Sequence, residues 1–277
     1  MIFVLMPAYN EAPTVGLLLW KVRQVFTAFP REYQLLVVND ASTDGSDEVL
    51  APYARALPLT LVTHRERLGY GRSVEELLRL AASRTDRPRR DLAVLLQADF
   101  SDSPDDLPEL VRRIESGADL ALADYRRRPG LGWLETLARR LVAWAARTRR
   151  PVGPIADCVC TLKAMRLVTL ARTFSEGGSH PIVQSDGWAA DVELLRAVGR
   201  HARRVDVVPV TSPAPPRQRA RRARPLRSAW AALRALRGPR SASAPQRPAT
   251  GTPRRGRPQR RERGEARARR PESVPST

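Results

Sequence analysis

The chain has 277 residues, 48 basic against 29 acidic side chains, and 42% hydrophobic but only 5% aromatic residues. That length suits one large domain or two small ones, and the longest apolar runs, residues 2–6 and 92–96, fall far short of the ~20 residues that span a bilayer. The start shows no basic leader or cleavage site, and Cys158 and Cys160 are too close for a disulfide framework and lack further zinc ligands, so a reducing, cytoplasmic location is expected.

Residues 2–6 form a short apolar run ending at Pro7, a buried-strand pattern. Val15, Leu18, Leu19, Val22, Val25 and Phe26 recur at helical spacing over 13–28. A strand over 35–38, a helix over 44–54, a strand over 59–63 and a helix over 73–82 follow, the last with Leu77, Leu78 and Ala81 on one face. Residues 92–96 are a strong central strand. Ser103 then offers an N-cap, Pro104 a first helical position and Asp106 a capping-box acid, for a helix over 104–115. Residues 120–123 read as another strand, 186–200 as a helix and 205–210 as a strand. Over 131–148, Trp133, Leu137, Leu141 and Trp144 make one stripe. Leu226, Ala229, Trp230, Leu233 and Leu236 keep helical spacing among arginines. Both segments have the arginine flanks of in-plane membrane helices, and packing of the stripe on the sheet is the ordinary alternative and the expectation for each. Beyond 238, Pro, Ser, Arg, Gly, Ala and Gln dominate, a disordered composition. The predicted division is 1–212, a globular domain; 213–237, a basic amphipathic segment; and 238–277, a disordered Arg/Pro-rich tail.

The charge is unevenly placed. Residues 1–213 hold 29 basic and 26 acidic side chains, whereas 214–277 hold 19 arginines and 3 glutamates. Lys21 and Lys163 are the only lysines. Such an arginine bias is what a GC-rich genome writes, so nucleic acid is not expected as a partner. A basic tail can still meet phosphate-rich surfaces, lipid or nucleic acid.

The strand–helix alternation indicates an α/β fold with a parallel sheet covered on both faces. In such sheets ligands sit beyond the carboxyl ends of the strands. Three polar clusters fall there: Tyr9-Asn10-Glu11, Asn39-Asp40 and Gln97-Ala98-Asp99. Asp40 is placed to accept hydrogen bonds from a nucleobase, or to serve as a turn residue. A carboxylate at Asp99, after a buried strand, costs solvation unless it is paired or holds a cation. Mg²⁺ or Mn²⁺ commonly bridges a carboxylate to phosphates. The alternative is a cap carboxylate, a role Ser103 already fills.

The same residues carry a resemblance. Val4-Leu5-Met6-Pro7-Ala8-Tyr9-Asn10-Glu11 is similar to the opening of family 2 glycosyltransferases of the GT-A fold. Val37-Val38-Asn39-Asp40-Ala41-Ser42-Thr43-Asp44-Gly45-Ser46 resembles their second motif, and Leu95-Leu96-Gln97-Ala98-Asp99-Phe100-Ser101-Asp102 the strand bearing Asp-X-Asp. Gly117 to Ala123, Asp157 to Ala164, Asp186 to Leu195 and Arg204 to Val210 follow in the order seen in polyprenyl-phosphate sugar synthases. The resemblance covers residues 1–236 and implies a mixed, mostly parallel GT-A sheet flanked by helices. It implies a glycosyltransferase that moves a hexose from a UDP- or GDP-sugar to a polyprenyl phosphate, with inversion, at the cytoplasmic membrane face. Pro7, Ala8, Tyr9, Asn10, Glu11, Asp40, Gln97, Ala98 and Asp99 would then bind the donor. Asp99 and Ser101 would hold Mg²⁺ or Mn²⁺. Arg126, Arg217, Arg219 and Arg222 would bind the acceptor phosphate, and Asp99, Arg126 and Asp157 would act in the chemistry.

Two departures matter. Gln97 replaces the first acid of Asp-X-Asp, and Ser101 stands where that subgroup often has Gln; Asp102 is the next carboxylate that could substitute. The rival readings are transfer to a saccharide or small-molecule hydroxyl, with Asp157 as base, and a weakened binding module whose arginine tail contacts nucleic acid or anionic lipid. His64, His180 and His201 show no ligand spacing and receive no role.

Overall fold

The computed structural model describes residues 1–125, 132–147, 158–178, 180–210 and 225–237. In order come β1 (Ile2–Ala8), α1 (Ala12–Ala28), β2 (Tyr33–Asn39), α2 (Ser46–Ala56), β3 (Leu59–Thr63), α3 (Tyr70–Arg84), β4 (Leu92–Leu95) and a 3₁₀ turn (Pro104–Asp106). Then follow α4 (Leu107–Glu115), β5 (Leu120–Tyr125), α5 (Trp133–Arg147), β6 (Lys163–Arg166), α6 (Leu167–Gly177), α7 (Trp188–Gly199), β7 (Val205–Val210) and α8 (Pro225–Arg237).

The seven strands form one sheet in the order β3-β2-β1-β4-β6-β5-β7. β1 pairs parallel with β2 and β4, β2 with β3, and β5 with β7. β6 alone runs antiparallel, between β4 and β5. The sheet is therefore mixed and mostly parallel, and the strand–helix alternation alone did not disclose β6 or α6.

Side chains of a strand alternate between faces, and these strands are apolar on both. From β1, Phe3 and Leu5 enter one core while Ile2, Val4, Met6 and Ala8 enter the other. The first core is covered by α3, through Val74, Leu77, Leu78 and Ala81, and by α5 to α8. The second is covered by α1, α2 and α4, through residues such as Leu18, Leu50 and Leu110. Each fully buried Leu, Val or Phe contributes about 1.5–3 kcal/mol. Ser103 does cap the turn before α4: its hydroxyl accepts from Asp105 N at 3.3 Å.

The amphipathic segments depart from expectation. In α5 the residues that pack are Ala138, Val142, Ala143 and Ala146, and in α8 they are Ala229, Ala232 and Leu236. Trp133, Leu137, Leu141, Trp144, Leu226 and Trp230 are exposed. Small residues let α8 lie close against α5 and α7, and that leaves the bulky stripe outside. Cys158 and Cys160 are both buried. The tail over 238–277 lies outside the described residues, and no described helix is long and apolar enough to cross a membrane.

Candidate active site

Because β1, β2, β3 and β4 are parallel, their carboxyl ends share one edge. β6 starts at that edge, since Lys163 pairs with Leu95, and Tyr125 and Val210, the last residues of β5 and β7, are register partners there. Asn10, Ala41 and Phe100 have φ of 54°, 54° and 56°, and are the only non-glycine residues with positive φ among those described. One lies in each loop leaving β1, β2 and β4. Left-handed backbone costs a non-glycine residue about 1–3 kcal/mol and gathers at functional sites.

The first two loops are stitched together. Asn10 N donates to Ser42 Oγ at 2.8 Å, Thr43 N to Asn10 Oδ1 at 2.7 Å, and Glu11 N to Ser46 Oγ at 3.0 Å. Asn39 Nδ2 donates to Asp47 Oδ1 at 2.6 Å, and its Oδ1 accepts from the Ser42 hydroxyl. Pro7 and Ala8 are the last residues of β1, opposite Val38 and Asn39. The Tyr9 ring lies under the Arg67 guanidinium, 4.1 Å from its centroid.

Asp40 is buried and densely bonded. Its Oδ1 accepts from Leu68 N at 2.7 Å and contacts His64 Nδ1 at 2.7 Å, and its Oδ2 accepts from Gly69 N at 2.9 Å. His64 Nε2 meets Glu76 Oε2, also at 2.7 Å. Burial raises the Asp40 carboxyl, but the His64 ring and the two backbone donors outweigh it and hold the group below its ordinary value. Burial likewise lowers His64, and Asp40 and Glu76 outweigh it and raise the imidazole. A ring between two carboxylates can satisfy both only when both nitrogens carry protons. His64, given no role from spacing, is thus the partner of a predicted donor residue. The available signal was its place directly after β3, beside β2.

The Leu68–Gly71 loop was also missed, although two glycines flanking Tyr70 between a strand and a helix mark a close approach. Gly69 has φ 97°, and a Cβ at Gly71 would lie 2.0 Å from the Ser185 carbonyl oxygen. Gly71 N donates to Asp186 Oδ1 at 2.8 Å. Glu75 Oε2 accepts from Ile182 N and Val183 N, and Glu193 Oε2 from Gln184 N and Ser185 N. The 182–186 loop is therefore pinned from α3 and α7.

At the end of β4, Gln97 and Asp99 are half-buried and Ala98 is buried. Asp99 Oδ1 accepts from Ser101 N at 2.8 Å, which turns the chain after the strand. Gln97 Nε2 donates to Thr161 Oγ1 at 2.9 Å, so its amide nitrogen is committed. Asp102 is fully buried, and its charge acts on Tyr70 and Asp191. Behind this edge Lys163 Nζ lies 2.7 Å from Asp191 Oδ1, both buried, and Tyr70 Oη donates to the same oxygen at 3.2 Å.

Among the described residues no three His, Cys, Asp or Glu side chains converge as a metal site. A divalent cation suits such an edge when one carboxylate is completed by donor phosphates, and the half-buried Asp99 fits that demand. Asp157, Arg126, Arg217, Arg219 and Arg222 lie outside the described residues. The structure thus brings Pro7 to Glu11, Asp40, Gln97, Ala98, Asp99 and Ser101 to one edge of the sheet.

Residues 3–174 match the family described as Glycosyl transferase family 2. The chain belongs to that family. An undecaprenyl-phosphate mannosyltransferase of Micrococcus luteus is 29% identical to it over 217 residues, 76% of this chain and 82% of that protein. An undecaprenyl-phosphate 4-deoxy-4-formamido-L-arabinose transferase of Aeromonas hydrophila is 25% identical over 166 residues, 60% of this chain and 49% of that protein. The family 2 chain thus spans about half the length of the Aeromonas relative. Mannosyl-3-phosphoglycerate synthase from Rubrobacter xylanophilus superposes with a TM-score of 0.62 at 19% identity, over 86% of this chain and 72% of that one. Glucosyl-3-phosphoglycerate synthase from Mycobacterium tuberculosis, solved with Mn²⁺, UDP-glucose and phosphoglyceric acid, superposes with a TM-score of 0.55 at 20% identity, over 87% and 81%. These likenesses establish the GT-A fold.

Proposed function

We propose that this glycosyltransferase moves a hexose from a UDP- or GDP-sugar to a polyprenyl-phosphate lipid at the cytoplasmic face of a membrane, with inversion and with Mg²⁺ or Mn²⁺. The observation that carries the reading is the shared edge of β1, β2 and β4, where Tyr9, Asp40, Gln97 and Asp99 stand on three loops, each with one left-handed residue. The relatives named for undecaprenyl phosphate support the acceptor class.

Each residue has a task. Pro7 to Glu11 and Asp40 form the base side, and Asp40 shapes it by fixing Leu68, Gly69 and His64. Gln97 offers its amide oxygen to a ribose hydroxyl or to the cation. Asp99 and Ser101 would hold the cation together with the donor diphosphate. Bound there, it supplies positive charge to the departing diphosphate. Arg126, Arg217, Arg219 and Arg222 orient the acceptor phosphate as bidentate partners. That phosphate is already an anion. One of its oxygens forms the bond to the anomeric carbon, the bond to the diphosphate breaks, and the nucleoside diphosphate leaves. Asp157 is assigned to the acceptor side on its place in the sequence motif alone.

The test is thermal stability with a panel of nucleoside diphosphates, with and without Mn²⁺, beside Asp99→Asn. A ligand that binds only the folded state raises the melting temperature. One nucleotide is expected to stabilise the wild type in a metal-dependent way, and the variant to lose most of that shift. Label from the matching sugar nucleotide is then expected in the organic extract when polyprenyl phosphate is present. Label on a water-soluble product alone overturns the acceptor, and no shift with any nucleotide overturns the donor site.

A further inference from the structure

The α5–α8 pair carries an apolar surface that the edge of the sheet does not use. Trp133 is 74% exposed, Trp144 67%, Leu141 51% and Leu137 49%. At about 100° per residue these four fall within an arc of about 80° on α5. On α8, Leu226 is 68% and Trp230 64% exposed. Scattered exposed leucines are ordinary on a protein surface. Two adjoining helices that bury alanines and turn three of the chain's five tryptophans outward are a different case.

The exposed charge around this surface is positive: the one acid of α5, Glu135, is buried and pairs with Arg139 at 3.3 Å. α8 holds Arg227, Arg234 and Arg237, all exposed, and no acid. Arg234 lies over the Trp230 ring, 5.6 Å from its centroid. Arg140 is exposed on α5. The 14 residues that precede α8 in sequence hold five arginines and no acid. A second copy of this chain would bring the same positive charge to the same face, so self-association is disfavoured. An anionic bilayer offers what the face lacks: phosphate for the arginines and an interfacial zone that suits tryptophan.

We propose that α5 and α8 form a membrane-docking surface for anionic lipid, with Trp133, Trp144 and Trp230 in the interfacial zone and Arg227, Arg234 and Arg237 on lipid phosphates. β5 ends at the edge that holds Asp99, and seven residues separate its end from the start of α5. Docking through α5 would therefore keep that edge near the lipid. This inference goes beyond the proposed reaction and needs no acceptor lipid.

The test is co-sedimentation of the full chain with vesicles of phosphatidylcholine alone or with phosphatidylglycerol, both free of polyprenyl phosphate. Binding is expected to the anionic vesicles, to weaken as salt rises, and to shift tryptophan emission to the blue. Trp133→Ala, Trp144→Ala and Trp230→Ala should each lower partitioning on the order of tenfold. Arg234→Gln should lower it about fivefold. These residues are exposed, so melting temperature and nucleotide response should stay at wild-type values in every variant, which separates docking from the donor site. Three results overturn the proposal: no binding to anionic vesicles, binding that the tryptophan substitutions leave unchanged, or a concentration-dependent dimer without lipid that those substitutions abolish.

Discussion

His64 Nδ1 lies 2.7 Å from Asp40 Oδ1, with both side chains less than a tenth exposed. The sign of their linkage to folding follows from their opposite shifts. Asp40 is held below its ordinary 3.8, so its contribution is present above that pH and is lost as pH falls through the lowered value. His64 is raised above 6.5, so its contribution is complete below that pH and is lost as pH rises through the raised value. The pair therefore stabilises the fold most between pH 3.8 and 6.5. His64→Gln keeps a hydrogen-bonding side chain but loses the titration. The melting-temperature gap between wild type and His64→Gln should be widest in that window and narrow in alkaline buffer. A gap independent of pH would count against the charged imidazole.

Gly71 and Gly177 should respond oppositely to alanine. A Cβ at Gly71 would meet the Ser185 carbonyl oxygen at 2.0 Å, and backbone would have to move. At Gly177, inside α6, the nearest atom is Ile182 Cγ2 at 3.6 Å, an ordinary contact. Gly71→Ala should cost about 2 kcal/mol or more and weaken nucleotide binding, because the same loop supplies the Asp40 donors. Gly177→Ala should be neutral or stabilise by a few tenths of a kcal/mol. Urea denaturation measures both.

The buried Lys163–Asp191 pair predicts strong non-additivity. Lys163→Met leaves the Asp191 carboxylate buried without its cation, at a cost of about 3–5 kcal/mol. Asp191→Leu strands the ammonium at a similar cost. The double variant should recover most of the loss, since apolar pairs of similar volume replace buried ion pairs well. Denaturation midpoints of the four proteins test this, and additive losses would refute it.

That pair also explains what the sequence hid. β1, β2 and β4 were legible because apolar runs buried on both faces can only be central strands. β6 reads Lys163-Ala164-Met165-Arg166, with a charge at each end, and its strand character depends on Asp191, 28 residues away. His64 was opaque for the same reason: its role needs Asp40 and Glu76, which only the β2–β3 pairing and α3 bring to it. The positions of Asp40 and Asp99 past strand ends were legible because polar residues just after buried strands are few. The outward stripe of α5 was misjudged because helical spacing shows that a stripe exists but not which face alanines can pack.

Gln97 offers a test in which the sign of an effect depends on the metal. The Gln97 amide nitrogen donates to Thr161 Oγ1 at 2.9 Å. Gln97→Asp loses that donor and sets a second carboxylate two residues from Asp99. Without a cation the two acids repel, so the variant should melt at lower temperature than wild type. With Mn²⁺ and the stabilising nucleotide, the added charge attracts the ion. The Mn²⁺ needed for half of the nucleotide-dependent shift should then fall by about tenfold. Gln97→Leu should instead raise the Mn²⁺ requirement, having neither the amide oxygen nor a charge. Melting curves across a Mn²⁺ titration for the three proteins decide the matter. If Gln97→Asp destabilises equally with and without Mn²⁺, position 97 lies out of reach of the cation, and Asp99 holds it with the diphosphate alone.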